Sequence, residues 1–223
     1  MENKNSNYLG LAVAFAACAG GVYLYFNSEH FFLRKPEVEI PKEEDYFLSP
    51  ASGTIALIKK FNTDSEIINK PTIEDSLEGA INVLCNDVSK SGTIISIQIG
   101  LTDVHYQRCP YDAKVIGQEY RTGDFKNAIS QSDSGKLRYQ NEHNTILFET
   151  ENGIKYKVIQ VAGFIARKII SYVNVGDYIK KGDVIGLIRT GSQVIVVVPD
   201  EIQVNIKEGD TVIYGQSVIG KTK

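Results

Sequence analysis

From about residue 47 onward the chain alternates apolar and polar positions, and β structure is the expectation. In 93–100, TIISIQIG, Ile95, Ile97 and Ile99 alternate with Ser96 and Gln98, the two-residue period of a strand with one face buried. The stretch 145–162 holds two such runs around Asn152-Gly153. That dipeptide tolerates the positive φ angles of a two-residue turn, so a hairpin is predicted. Helical signals are short and confined to 124–130 and 163–170. The polar segment 62–79, which carries Pro71, predicts a surface loop.

A different pattern stands in front. Residues 8–26, YLGLAVAFAACAGGVYLYF, contain no charge, and as a helix they would extend roughly 28 Å, close to the hydrocarbon thickness of a bilayer. Tyr8, Tyr23 and Tyr25 lie near its two ends, where amphipathic rings favour the interface. A retained transmembrane helix is the expectation. Its rivals are a cleaved signal peptide, which Lys4 alone supports poorly, and a lipoprotein signal ending at Cys18, where Phe15 replaces the usual small aliphatic residue. Arg34, Lys35 and Lys42 beyond the helix outnumber Lys4 before it, which places the C-terminal part on the cytoplasmic side. Pro36 and Pro41 forbid a continuous helix in the charged stretch that follows. The expected organisation is an anchor at 1–28, a connector at 29–47 and one β domain at 48–223.

Composition narrows the function. The 223 residues, 43% of them hydrophobic, suffice for one good core. A net charge of -3 without a basic block disfavours nucleic acid as a partner. The three cysteines, Cys18, Cys85 and Cys109, are too few and too uneven for a disulfide framework, and no C-x-x-C offers a zinc site. His105 and Cys109 are four apart, but without further ligands they do not argue for a metal.

Two segments near the C-terminus repeat each other: VGDYIKKGDVIG at 175–186 and EGDTVIYGQSVIG at 208–220. Such a strand-turn-strand unit with a pseudo-twofold relation resembles the barrel-sandwich of lipoyl and biotinyl carrier domains, and SPASGTIALI at 49–58 resembles the strand that opens one. The attachment lysine of those carriers is missing, because Gly191-Ser192 occupies the stretch between the halves. The expected fold is mainly β, a barrel-sandwich-like domain with short helices behind one transmembrane helix.

Six short motifs then follow in order: FFLRKP (31–36), SPASG (49–53), DVHYQRCP (103–110), NEHN (141–144), QVAGFIARKI (160–169) and GSQV (191–194). Their order and spacing, over about 31 to 220, resemble the short-type phosphatidylserine decarboxylase proenzymes. The resemblance implies a chain that cuts itself between Gly191 and Ser192, converts Ser192 into a pyruvoyl cofactor, and keeps the fragment 192–223 as a second subunit. It implies phosphatidylserine in the membrane as substrate and phosphatidylethanolamine as product, with His105 delivering a proton to the α carbon. These roles agree with chemical need. Loss of CO2 leaves a carbanion that requires an electron sink, glycine offers the least steric resistance beside an attacking serine, and a histidine with an ordinary pKa of about 6.5 suits proton transfer near neutrality.

Departures from the family pattern accompany the match. Ser52 stands where an aspartate usually activates the cleaving serine, and a hydroxyl cannot replace a carboxylate as base. Arg108 takes the place of a second histidine found in long-type relatives, His143 that of an arginine, and Gln193 that of Ser, Thr or Arg. Asp103 and Glu142 are the carboxylates that could substitute at the cleavage step. Two functions stay open: the decarboxylase, and a non-processing relative serving as a membrane-anchored adaptor or lipid-binding scaffold. A homo-oligomer is also left open.

Overall fold

The computed structural model describes residues 17–22, 25, 31, 33–63, 84–123, 141–163, 168–189 and 192–223. Most of the expected anchor, the part of the expected loop 62–79 beyond Thr63, the expected helical stretch 124–130 and Gly191 lie outside the described residues. Residues 17–22 are helical; among the described residues no helix is long and apolar enough to cross a membrane.

The described chain is built from strands. β1 (Tyr46–Leu48), β2 (Gly53–Asn62) and β3 (Ser91–Gln98) come first, and β4 (Tyr106–Arg108), β5 (Ala113–Arg121) and β6 (His143–Glu149) follow. Next come β7 (Lys155–Val161), β8 (Ile169–Ser171), β9 (Tyr178–Ile179) and β10 (Val184–Ile188). β11 (Gln193–Pro199), β12 (Ile202–Val204), β13 (Thr211–Val212) and β14 (Val218–Thr222) complete the chain. An eight-stranded sheet runs β13-β2-β3-β11-β7-β6-β5-β9, and two three-stranded sheets run β1-β14-β12 and β4-β10-β8.

These orders become identical when β1–β3 are exchanged with β4–β6 and β11–β14 with β7–β10. The register obeys the same exchange. Gln98 faces Thr54 and Gln193, as Glu149 faces Lys114 and Lys155. A bulge interrupts β2 between Ile55 and Leu57, and one interrupts β5 between Val115 and Gly117. Phe47 pairs with Gly220 as Gln107 pairs with Gly186. Even the turns agree: Gly215 N donates to Ser49 O at 2.7 Å, and Gly182 N to Cys109 O at 2.9 Å.

The two Gly-Asp repeats are therefore one structural unit in two copies. Gly176 and Gly209 take φ of 103° and 90°, which an L side chain rarely adopts. The carboxylates that follow accept the N–H groups of Asn174 and Lys207 at 2.8 and 2.9 Å, closing each turn.

One copy is continuous, 106–188; the other is split into 46–99 and 192–222. In the continuous copy β6 and β7 are joined by a tight loop closed by Thr150 N donating to Ile154 O at 2.9 Å. The corresponding bond in the split copy is Ile99 N to Ser192 O, also 2.9 Å. The chain thus leaves one half at Ile99, builds the whole of the other, and returns at Ser192.

Three local expectations are corrected. The 145–162 hairpin forms, but its loop bridges Thr150 and Ile154 with Gly153 at φ 77°, longer than a two-residue turn. Ser96 is fully buried, because β3 lies between β2 and β11 with apolar side chains packed on both faces. Within 163–170 the described end is strand, since Ile169 and Ile170 pair with Ile188 and Leu187. Short-range helical spacing there yields to an open edge of β10 that needs hydrogen-bond partners. At the centre, β11 is buried along its whole length. It reads QVIVVVP, the near-continuous apolar run that a strand covered on both faces requires.

Candidate active site

Ser192 immediately precedes β11 at the junction between the halves. It is 1% exposed, and its Oγ has no hydrogen-bond partner among the described residues. A buried hydroxyl without a partner is costly to fold around, and such groups tend to mark chemistry. Its carbonyl is fixed by Ile99 N. The next side chain, Gln193, donates from Nε2 to Ser96 Oγ at 2.7 Å, tying the start of β11 to β3. On the other flank, the register of Gln193 with Val161 brings Ala162 beside Ser192. Ala162 N donates to Glu142 O at 2.9 Å, and Asn141 Nδ2 donates to Ala162 O at 3.2 Å. The 141–144 motif is thereby held one strand away.

His105 enters from the crossover between β3 and β4. Ile188 N donates to His105 O at 3.1 Å, and Ser192 follows Ile188 by four positions, so the chain keeps the Cα atoms of Ile188 and Ser192 within about 14 Å of each other. His105 is completely buried. Its Nδ1 lies 2.8 Å from Asp103 O. A carbonyl only accepts, so the neutral ring carries its proton on Nδ1 and presents Nε2 for proton exchange. Burial lowers the ring's pKa below 6.5; the hydrogen bond to Asp103 opposes that shift, while the nearby Arg34 charge adds to it. Arg34, part of the FFLRKP motif, donates to Thr102 O and, at 2.9 Å, to Phe31 O.

The other sequence-predicted residues are placed less directly. Ser52 Oγ accepts from Tyr214 N at 3.1 Å. Its counterpart in the other half is Asp112, whose carboxylate accepts from Lys181 N at 2.5 Å. Position 52 thus caps a turn, and its partner shows that an aspartate fits such a place. The two substitute carboxylates are already engaged: Asp103 Oδ2 accepts Gly100 N at 2.7 Å, and Glu142 Oε1 accepts the Tyr120 hydroxyl. His143 is buried, with Nδ1 2.7 Å from Asn141 O, and burial lowers its pKa as well. Arg108 lays its guanidinium 4.7 Å over the Tyr214 ring and donates to Gly182 O at 2.5 Å. Gly191, the other side of the bond at issue, lies outside the described residues.

Sequence reasoning missed a set of buried amides behind His105. Gln107 Nε2 donates to His105 O at 2.6 Å, and Gln160 Nε2 to Gln107 Oε1 at 2.7 Å. Asn144 Nδ2 then donates to Gln160 Oε1 at 2.8 Å. The available signal was polar residues at positions where a strand between two packed faces calls for apolar ones.

Fold and site together define a class: an antiparallel β protein of two related halves, with a buried serine where the split half resumes and a buried histidine on the crossover that leads into the other half. Residues 30–220 match the family described as phosphatidylserine decarboxylase, and the chain belongs to that family. Among its relatives, the phosphatidylserine decarboxylase proenzyme of Geotalea daltonii is 32% identical over 86% of this chain and 78% of its own length. That of Wolbachia pipientis wMel is 32% identical, covering 85% and 73%. The proenzyme of Carboxydothermus hydrogenoformans is 32% identical, covering 91% and 83%.

Proposed function

We propose that this chain is a self-cleaving, pyruvoyl-dependent decarboxylase that converts phosphatidylserine to phosphatidylethanolamine while anchored by the apolar segment 8–26. Family membership supports the reaction class. The single observation that carries the assignment to residues is Ser192, whose Oγ at the junction between the halves is buried and has no partner among the described residues.

In the cleavage step, a bond forms between Ser192 Oγ and the carbonyl carbon of Gly191 as the peptide C–N bond breaks, and the freed amine takes up a proton. Loss of the Ser192 α proton then breaks the Oγ–Cβ bond, leaving Gly191 with a carboxylate. Tautomerisation and one water release ammonia and leave a ketone at residue 192. A pyruvoyl group in this place fits the structure, because it removes the unpartnered hydroxyl and leaves the Ser192 carbonyl on Ile99 N. When formed, it supplies the electron sink that loss of CO2 demands. The chain's own residues do the rest. The packed start of β11 keeps water from the reacting carbon, and His105, whose Nδ1–H is held by Asp103 O, takes up a proton at Nε2 and delivers it from there to the substrate α carbon.

The anchor has a physical purpose, since it keeps the site within reach of headgroups that rarely leave the bilayer. The excess of Lys and Arg after segment 8–26 sets the β domain on the cytoplasmic side. The barrel-sandwich reading of 48–223 is supported by the two-copy sheet order.

A second reading, a non-processing anchored scaffold, is favoured by one observation: Ser52 offers no carboxylate, and those of Asp103 and Glu142 are already engaged. Intact mass of the purified protein decides. The enzyme reading expects a 1–191 fragment and a 192–223 fragment with ketone in place of amine, and phosphatidylserine-dependent CO2 release. A chain that stays whole, and stays whole after Ser52→Asp, overturns it. Flotation with anionic vesicles, lost when 1–28 is removed, tests the anchor.

A further inference from the structure

We infer that the buried amide chain Gln107–Gln160–Asn144 is a positioning device for His105, present in one half of a two-copy fold and absent from the other. This rests on the assignment of His105 to proton transfer. The chain of hydrogen bonds begins at the rim of a cavity of about 410 Å³ lined by Gln118, Tyr120, Asn144 and Ser171 among others. There Gln118 Nε2 donates to Asn144 Oδ1 at 3.3 Å. It continues through Asn144, Gln160 and Gln107, every amide donating in the same direction, and ends on the carbonyl of His105. Aligned bonds of this kind polarise and stiffen one another.

The twofold relation supplies a comparison inside the molecule. Gln107 pairs with Gly186 as Phe47 pairs with Gly220. Gln160 pairs with Asn144 as Val198 pairs with Thr93. Gln118 faces Ile146 as Ile58 faces Ile95. The same backbone positions in the other half are therefore filled by Phe47, Val198, Thr93 and Ile58. The fold closes there without amides, and buried amides are unfavourable unless fully bonded. The architecture itself does not demand them; the half that carries His105 does.

Gln160 reaches from the eight-stranded sheet to β4 across Gly186, where a Cβ would lie 2.4 Å from Gln160 Nε2. The bridge thus ties the His105 segment to β7, the strand hydrogen-bonded to β11. It fixes the histidine relative to Ser192 through two rigid strands rather than through the crossover loop.

The test gives each position its counterpart's residue, Gln160→Val and Gln107→Phe, in the full-length protein. Three readouts are taken: thermal unfolding, kcat and KM on phosphatidylserine vesicles, and the His105 ring tautomer from ¹⁵N chemical shifts, assigned with a His105→Asn control. Positioning expects folded protein, a fall in kcat of roughly ten-fold or more with KM little changed, and loss of the single Nδ1–H tautomer. Gln160→Glu, which restores an acceptor for Asn144, is expected to recover part of both signals. Unchanged kcat and tautomer overturn the inference, and so does unfolding of both variants, which would show that the amides serve the fold alone. If the wild-type protein proves not to decarboxylate, the tautomer readout still decides the positioning claim while the functional reading fails separately.

Discussion

At the scale of single residues, Ser192 and His105 are assigned separable tasks. Replacing Ser192 with Ala removes the proposed nucleophile, so the chain should remain whole and inactive. Replacing His105 with Asn leaves the hydroxyl and its peptide bond in place. Cleavage is expected to proceed while decarboxylation falls by about 10²-fold or more, as read from intact mass and from CO2 release on the same sample. The two buried histidines also predict a pH dependence of stability. Both rings have pKa values lowered from 6.5, chiefly by burial. Below 6.5 the unfolded chain binds protons that the folded chain refuses, so stability falls as pH drops from 6.5 toward the folded values and is complete above it. The urea midpoint should therefore decline between pH 6.5 and 5, and the combined His105→Gln and His143→Gln change should flatten that decline.

At the scale of elements, close backbone approach at the edge of β2 sets a strict requirement. Gly53 has φ of 148°, and a Cβ there would lie 2.2 Å from Gln98 O. Its counterpart Ala113 holds the same ladder position against Ile179 as Gly53 holds against Val212, so the requirement comes from local backbone and not from the fold in general. Gly53→Ala is expected to cost about 2 to 3 kcal/mol, measured by chemical denaturation, whereas Ala113→Gly should cost about 1 kcal/mol or less. Lys157 shows how another element is held. Its buried Nζ donates to Leu84 O at 2.8 Å and to Asp87 at 2.5 Å, docking the 84–88 turn onto β7 beside Ile94, Ile159 and Cys85. The same apolar surroundings push the Cys85 thiol up to about 12, which keeps it protonated and unreactive.

At the scale of the whole molecule, the split half explains how a cut at 191–192 would leave a single particle. The fragment 192–223 contributes β11, paired to β3 on one side and β7 on the other, together with β12, β13 and β14. Its apolar residues sit in both cores. Cut protein is expected to elute as one species in native size exclusion and to separate only in denaturant. Unfolding should be a single transition, because β11 cannot leave without opening both halves. Release of the small fragment under native conditions would contradict that arrangement. A cut elsewhere, within β7 for instance, would split the continuous half and lacks the junction that makes 191–192 tolerable.

The sequence by itself determined the mainly β class of the structure and, through its ordered motifs, the family. Strand periodicity at 93–100 and 145–162, the glycine-punctuated repeats and the six motifs are carried by neighbouring residues, and neighbouring residues set local conformation. The tertiary structure decided what those pieces mean together. The two repeats belong to opposite halves, Ser96 is enclosed, 169–171 is strand, Ser52 caps Tyr214, and three amides stand behind His105. Each depends on partners distant in the chain, such as Phe47 with Gly220 or Gln107 with Gly186 and Gln160. Which faces close on one another is fixed by packing and hydrogen-bond satisfaction over the whole molecule, and no local pattern of apolar and polar residues encodes that choice.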